Sequence, residues 1–175
     1  MILITGANGQ LGTDIIKECN KRGLAYLPTD VAEMDITNID SVKAIFKANK
    51  ITSVMHLAAY TAVDLAEDNP DLVYKINTLG TQNLVAVAKE YDVPMMYIST
   101  DYTFDGTKEG FYEVDDTPNP IGVYAKTKYQ GEVAVKENLS KYFVVRISWV
   151  FSPQGKNFVK TMLKLGKERT ELNVV

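Results

Sequence analysis

Gly6, Gly9 and Gly12 follow directly on the apolar run Ile2-Leu3-Ile4-Thr5 and open a helical pattern, in the order Gly6-Ala7-Asn8-Gly9-Gln10-Leu11-Gly12. A strand that turns through glycines into a helix is the entry to a βαβ unit, which restricts the chain to folds with a parallel sheet. Gly6 would make the tight turn, Gly9 would admit a pyrophosphate to the backbone, and Gly12 would let helix and strand pack closely. The phosphate charge would then face the helix N-terminus. The same turn is also compatible with a strand-to-helix connection that holds no ligand.

Short apolar runs recur at Ala25 to Pro28, Ser53 to Leu57, Met95 to Ser99 and Phe143 to Ile147. Longer stretches between them carry helical periodicity. Ile15, Ile16 and Cys19 form one face, Val42, Ile45 and Phe46 a second, and Leu72, Val73, Ile76, Leu79, Leu84, Val85 and Ala88 a long third. Gly23, Pro70 and Pro118-Asn119-Pro120 fall where helices should stop or start. Strand and helix alternate, so the expected fold is a doubly wound, Rossmann-like α/β sheet covered on both faces. The stretch from Thr100 to Pro120 is longer than most connecting loops and is expected to serve a site.

With 46% hydrophobic residues, 23% charged residues and a net charge of -3, the composition carries no electrostatic footprint for nucleic acid. Anionic ligands must be held by local groups. Cys19 is the only cysteine, which rules out an internal disulfide and argues against a cysteine-based metal site. No basic leader and no apolar segment of spanning length is present, so the default expectation is a cytoplasmic protein without a membrane partner.

Asp30 stands eighteen residues beyond Gly12, at the end of the second apolar run. A carboxylate there would hold the adenosine ribose hydroxyls and repel a 2'-phosphate. No arginine or lysine stands at Asn8, Gln10 or from Val31 to Glu33, so these residues favour NADH over NADPH. Asp30 also suits an ordinary turn before a helix.

Tyr124 and Lys128 stand four apart on a helix expected to begin after Pro120, and so share a face. Ketone reduction needs an acid at the oxygen, and a free tyrosine with a pKa of about 10 is a sluggish one. A fixed ammonium would lower that pKa by stabilising the phenolate. The pair alone is a weak signal, because tyrosine and lysine are common on exposed helices. It gains weight from the glycine turn and from Ser99-Thr100 at the C-terminal end of a strand, where open α/β sheets place ligands. Thr100 would donate to a substrate carbonyl, although Ser99-Thr100-Asp101 also suits a plain hydroxyl turn.

These residues, with Leu57-Ala58-Ala59-Tyr60-Thr61-Ala62-Val63-Asp64, Ser99-Thr100-Asp101-Tyr102-Thr103-Phe104-Asp105-Gly106 and Arg146-Ile147-Ser148-Trp149-Val150-Phe151, give a chain that resembles the extended short-chain dehydrogenase/reductases. Within them it resembles the dTDP-4-dehydrorhamnose reductase family. The resemblance implies reduction of the 4-keto group of dTDP-4-dehydro-L-rhamnose by NADH or NADPH, with Tyr124 as proton donor, Lys128 as its partner and cofactor ligand, and Thr100 as carbonyl donor. It implies that Thr100, Asp101 and Trp149 touch the nucleotide sugar. Gly6, Gly9, Gln10, Leu11 and Gly12 would hold the dinucleotide phosphates, Asp30, Asp35 and Ile36 the adenosine end, and Ala59, Tyr60 and Thr61 its middle. Tyr60 stands where histidine is common in the family, a departure that touches cofactor contacts. Two other readings share these motifs: a sugar-nucleotide epimerase or dehydratase, and a non-catalytic subunit like the regulatory subunit of methionine adenosyltransferase.

His56, the only histidine, is expected to be a core residue, and Asn77 either supports the lysine or packs locally. Glu113, Asp115 and Asp116 read as solvated carboxylates. The family includes homodimers, some with magnesium at the subunit contact, for which Asp14 is the one candidate; no metal is expected. Residues 1–150 are expected to form the NAD(P)-binding domain. Residues 151–175, with a strand-like ending from Glu171, would begin a substrate-binding region that this chain truncates.

Overall fold

Leu3 and Ile4 are wholly buried in β1 (Ile2–Thr5), which is possible only for a strand with neighbours on both edges and helices on both faces. The computed structural model describes residues 1–172. β1 lies between β2 (Tyr26–Thr29) and β3 (Ser53–His56), followed outward by β4 (Met95–Thr100) and β5 (Tyr142–Ile147), giving the order β2-β1-β3-β4-β5. All four pairings are parallel. The chain leaves β1 in one direction to reach β2 and in the other to reach β3. The C-terminal ends of β1 and β3 therefore border a topological switch point, the place where such sheets bind ligands.

α1 (Gln10–Lys21) and α2 (Ile39–Ala48) follow the first two strands. α2 is opened by Asn38, whose side chain accepts the Asp40 and Ser41 N–H groups. α3 (Val63–Asp68) precedes one long helical run, built from α4 (Pro70–Tyr74), a π-helical turn over Lys75–Leu79 and α5 (Gly80–Glu90). α6 (Val123–Asn138) and α7 (Phe158–Glu168) complete the helices. Leu3, Val54, Met95 and Tyr97 from the sheet pack with Val42 and Phe46 of α2, Leu84 and Val87 of α5 and Val135 of α6 in one core. Each such burial stabilises the fold by roughly 1.5–3 kcal/mol before entropy is counted.

All five expected strands are present, with ends displaced by a residue. The long third helical face departs from expectation: Leu72 and Leu79 turn outward, while Asn77, Thr78 and Thr81 are buried. A π turn widens the helix by an extra residue and so rotates the face that meets the sheet. The buried polar groups find partners there, described below. Neither α3 nor α7 is among the helices expected from the sequence. α7 has no buried residue and leaves Phe158, Val159 and Leu163 exposed. From Asp101 a short 3-10 turn leads into the expected irregular loop, where Phe104 stacks on Tyr112 at 4.2 Å and Lys108 pairs with Asp116. Of the strand-like ending, Glu171 and Leu172 are not in a strand, and 173–175 lie outside the described residues.

Candidate active site

The glycine turn is sterically obligatory at two of its positions. Gly6 has φ +65°, and a Cβ on it would stand 2.8 Å from the Ala58 Cα and N atoms. A Cβ on Gly12 would meet the Ala7 carbonyl oxygen at 2.7 Å, so helix and turn touch only because that residue has no side chain. Gly9 is the N-cap of α1 and supplies no side-chain acceptor, and no acidic residue stands in the first turn. The first N–H groups of α1 thus keep free hydrogen-bonding capacity at the positive end of the helix dipole, the arrangement a pyrophosphate requires.

Asp30 is tied into this turn. Its Oδ2 accepts the Asn8 N–H at 3.1 Å and its Oδ1 the Val31 N–H at 2.9 Å. Each carboxylate oxygen retains a lone pair for a hydroxyl. Asp35 Oδ1 accepts both the N–H and the hydroxyl of Thr37, at 2.9 and 2.8 Å, which shapes the bend leading to buried Ile36.

The segment after β3 is held by a hydrogen-bond chain whose donors and acceptors can be assigned. The Thr5 hydroxyl oxygen accepts the Leu57 and Ala58 N–H groups, both at 3.1 Å, so its proton points to His56 Nδ1 at 2.8 Å. The Thr81 hydroxyl donates to the Asn77 carbonyl at 2.6 Å, so at 3.0 Å it accepts from His56 Nε2. His56 is therefore the neutral tautomer protonated on Nε2, and burial, followed by the charge of Lys128, pushes its pKa down to about 3. It is a core histidine. Asn77 then bridges two elements: its Oδ1 accepts the Tyr60 N–H at 2.8 Å, while Nδ2 donates to the Tyr60 carbonyl and to Thr127 Oγ1 at 3.1 and 3.2 Å. Thr127 lies between Tyr124 and Lys128, so Asn77 connects the Ala59-Tyr60-Thr61 segment to α6.

Thr100 ends β4 almost fully buried; its hydroxyl donates to Asp101 Oδ1 and accepts the Tyr102 N–H, both at 3.2 Å. The Tyr124 ring meets Tyr102 edge-on at 6.0 Å. Lys128 is 3% exposed, donates to the Ile98 carbonyl at 2.7 Å and stands 4.2 Å over the Tyr97 ring. Burial lowers its pKa to about 7, opposed by Glu132. Glu132 itself is engaged elsewhere, by Arg146 Nε and Nη2 at 2.9 and 2.8 Å and by Lys136 at 3.1 Å.

One expectation is reversed. The Lys128 ammonium is expected to lower the Tyr124 pKa, but burial raises the phenol, the Thr100 hydroxyl opposing the rise and Asp101 and Tyr102 adding to it. Lys128 directs its charge at the Ile98 carbonyl and the Tyr97 ring instead.

Gln10 lines the cleft by its backbone, while its side chain is engaged elsewhere. Its amide does not point to a phosphate site: Nε2 donates to the Val150 carbonyl at 3.0 Å and Oε1 accepts Asn157 Nδ2 at 2.8 Å. Only its backbone N–H can face a phosphate. Asp14 pairs with Lys17 at 2.9 Å, and among the described residues no group of three His, Cys, Asp or Glu is placed to hold a metal ion.

A cleft of about 970 Å³ at the C-terminal ends of the strands brings these residues together. Gly6 to Gly12 without Ala7, Asp30, Asp35 and Ile36, Ala59 to Thr61, Thr100 and Asp101, Tyr124 and Lys128, and Trp149 all line it. Lys75 and Lys156 line it as well, and neither lies in a motif that sequence reasoning singles out. No described helix is long and apolar enough to cross a membrane.

The sequence model of the RmlD substrate binding domain matches residues 1–175. The dTDP-4-dehydrorhamnose reductase of Aggregatibacter actinomycetemcomitans is 42% identical over 175 residues, covering 99% of this chain and 60% of that protein. The reductase of the same name from Burkholderia thailandensis is 37% identical over 174 residues, covering 99% of this chain and 58% of the relative. Among solved structures, a Clostridium acetobutylicum dTDP-4-dehydrorhamnose reductase superposes with a TM-score of 0.96 at 46% identity, covering 99% of this chain and 62% of that one. A Bacillus anthracis dTDP-4-dehydrorhamnose reductase in complex with NADP superposes with a TM-score of 0.93 at 44% identity, covering 98% and 61%. The chain thus spans about three fifths of the length of these relatives. With the whole chain matched by one family and its cleft built on the glycine turn and the Tyr124–Lys128 helix, the chain belongs to the RmlD substrate binding domain family of extended short-chain dehydrogenase/reductases, similar to dTDP-4-dehydrorhamnose reductase.

Proposed function

We propose that this chain carries the cofactor-binding and proton-donating half of a reductase that converts dTDP-4-dehydro-L-rhamnose to dTDP-L-rhamnose with NADH or NADPH. The observation that carries the reading is the convergence of Thr100, Tyr124 and Lys128 in the same cleft as an uncapped α1 N-terminus. The residues fit a dinucleotide: Gly9 bears no side chain over the turn, the first N–H groups of α1 are available, and Asp30 stands ready for ribose hydroxyls. The Bacillus anthracis relative was solved with NADP, which supports the cofactor class and leaves both phosphorylation states open. The dinucleotide, when bound, supplies the hydride.

The rest is the work of the chain's own groups. The Tyr124 hydroxyl, protonated at neutral pH like any tyrosine, is the group that would protonate the substrate's carbonyl oxygen, and burial, by raising its pKa, makes it a weaker acid that depends on its neighbours in the cleft. Thr100, at the strand end, would orient that oxygen by turning its one hydroxyl proton from Asp101 Oδ1 to the carbonyl. Lys128 spends one N–H on Ile98 and keeps two donors, one to steady the phenolate and one to hold a ribose. Asp101 and Trp149 border the sugar side. Residues 1–150 form the cofactor-binding unit in this reading, and 151 onward begin the substrate side.

The test is NADH consumption by the protein with dTDP-4-dehydro-L-rhamnose, set against a panel of other keto-sugar nucleotides. Stoichiometric consumption with product reduced at C4 supports the reading. Product formation without net consumption of NADH would instead identify an epimerase or dehydratase.

A further inference from the structure

Trp149 is the only tryptophan, and it is held through both of its chain neighbours. On one side the Ser148 hydroxyl donates to Asp101 Oδ2 at 2.8 Å, at the end of β4. On the other the Val150 carbonyl accepts Gln10 Nε2 at 3.0 Å, at the start of α1. Between these anchors Trp149 has φ +51°, a left-handed conformation that a bulky side chain keeps only where its surroundings hold it.

Gln10 uses its other end too. Its Oε1 accepts Asn157 Nδ2 at 2.8 Å, and the same nitrogen donates to the Ser152 carbonyl at 2.8 Å, which closes the segment from Val150 to Asn157 on itself. Asn157 Oδ1 in turn accepts the Lys160 N–H at 3.0 Å and so caps α7, whose Phe158 meets the Trp149 ring edge-on at 4.9 Å. One amide, with donor and acceptor both committed, thus ties the segment that carries Trp149 to the first residue of α1. The N–H of that residue belongs to the turn that would receive the pyrophosphate.

We propose that Gln10 is a positioning residue for Trp149: its side chain latches the 149–157 strap to the glycine turn, so that occupancy of the turn by a dinucleotide steadies the aromatic wall on the sugar-nucleotide side of the cleft. The second half of this statement rests on the proposed function, and the latch itself does not. A dinucleotide bound first leaves a better-ordered Trp149 for the second ligand, because the ordering cost has already been met.

Time-resolved fluorescence anisotropy of Trp149 in the full chain tests the latch directly, since no other residue contributes tryptophan emission. Asn157→Ser keeps a hydroxyl cap for α7 but is too short to reach Gln10. Gln10→Met keeps the size and removes both hydrogen bonds. Each variant, with circular dichroism matching wild type, should show roughly double the amplitude of nanosecond motion at Trp149 without ligand. Saturating NAD+ should reduce that amplitude in wild type and leave it high in Asn157→Ser. In turnover assays Asn157→Ser should raise the sugar-nucleotide KM about 3- to 10-fold, the equivalent of one lost neutral hydrogen bond, with kcat little changed. A folded variant of either kind whose ligand-free decay matches wild type overturns the latch. If NAD+ binds by calorimetry and leaves the wild-type decay unchanged, the coupling to the turn is overturned. Absence of NAD+ binding would defeat the cofactor reading, while the ligand-free comparison would still decide the latch.

Discussion

Glu67 Oε1 accepts the Val123 N–H at 2.8 Å, so a carboxylate on α3 caps the helix that carries Tyr124. The N-cap residue of α6 is Gly122, which has no side chain to do this, and a Cβ there would stand 2.8 Å from the same carboxylate oxygen. The first turn of α6 is therefore held from outside the helix, one residue before the phenol.

Glu67→Ala should cost about 0.5–2 kcal/mol of stability, the usual value of a lost cap. It should also lower kcat more than cofactor affinity, because the freed turn is the one that positions Tyr124. Glu67→Gln keeps an acceptor oxygen and should recover most of both losses. Thermal melts and steady-state kinetics on the two variants check this; an alanine variant equal to wild type in both would show that the contact carries nothing.

Tyr124→Phe removes one hydroxyl and little volume. Turnover should fall about 10²- to 10⁴-fold, the usual loss for a general acid, with the dinucleotide Kd within a few-fold of wild type. Stopped-flow reduction and calorimetry separate the two quantities. Unchanged kcat would falsify the assignment.

For cofactor choice the informative variant is Asp30→Asn. Asp30 also holds the Asn8 and Val31 N–H groups, so alanine would disturb the turn along with the charge. Asparagine keeps one of the two acceptor oxygens and the size of the side chain, and removes the charge that repels a 2'-phosphate. The ratio of NADPH to NADH affinity should rise in parallel titrations of wild type and variant; a ratio that stays fixed places the ribose elsewhere.

His56 should make the fold acid-sensitive in a defined window. Its folded pKa of about 3 lies below the ordinary value of 6.5, so the unfolded chain binds a proton that the native state refuses. Stability attributable to this residue is intact above pH 6.5 and declines as pH falls from 6.5 towards 3, by up to ~1.4 kcal/mol per unit. Between pH 7 and 4.5, wild type should lose about 2–3 kcal/mol more than His56→Gln in urea unfolding. Equal losses would mean that His56 is protonated in the native state.

Local patterns carried most of this fold and much of the cleft. The five strands are short, largely apolar runs, Gly6 and Gly12 sit at positions that tolerate no Cβ, and the four-residue spacing from Tyr124 to Lys128 lines one face of a helix. Relationships between distant segments were not written locally. Nothing around Asn77 or Thr81 announces a π turn, because the turn is stabilised by His56, Tyr60 and Thr127 from other elements. Gln10 belongs to the glycine turn by its backbone, and its side-chain ties to Val150 and Asn157 are not written in the local sequence. The sign of the Tyr124 shift followed from burial and from Asp101, neither of which the Tyr124–Lys128 spacing encodes.

The central place of β1 in the sheet also has a bearing on how the molecule is assembled. β1 has its hydrogen-bonding partners at Tyr26–Thr29 and Ser53–His56, so three adjacent strands can pair before β4 has been made. β4 and β5 then add in order along one edge. Growth from the amino end outward keeps each new strand next to a finished one and avoids a long wait for a distant partner, the condition under which exposed strand edges aggregate. The nascent chain would acquire its glycine turn early and Tyr124 late, and the cleft is complete only once Trp149 and Lys156, beyond α6, are in place.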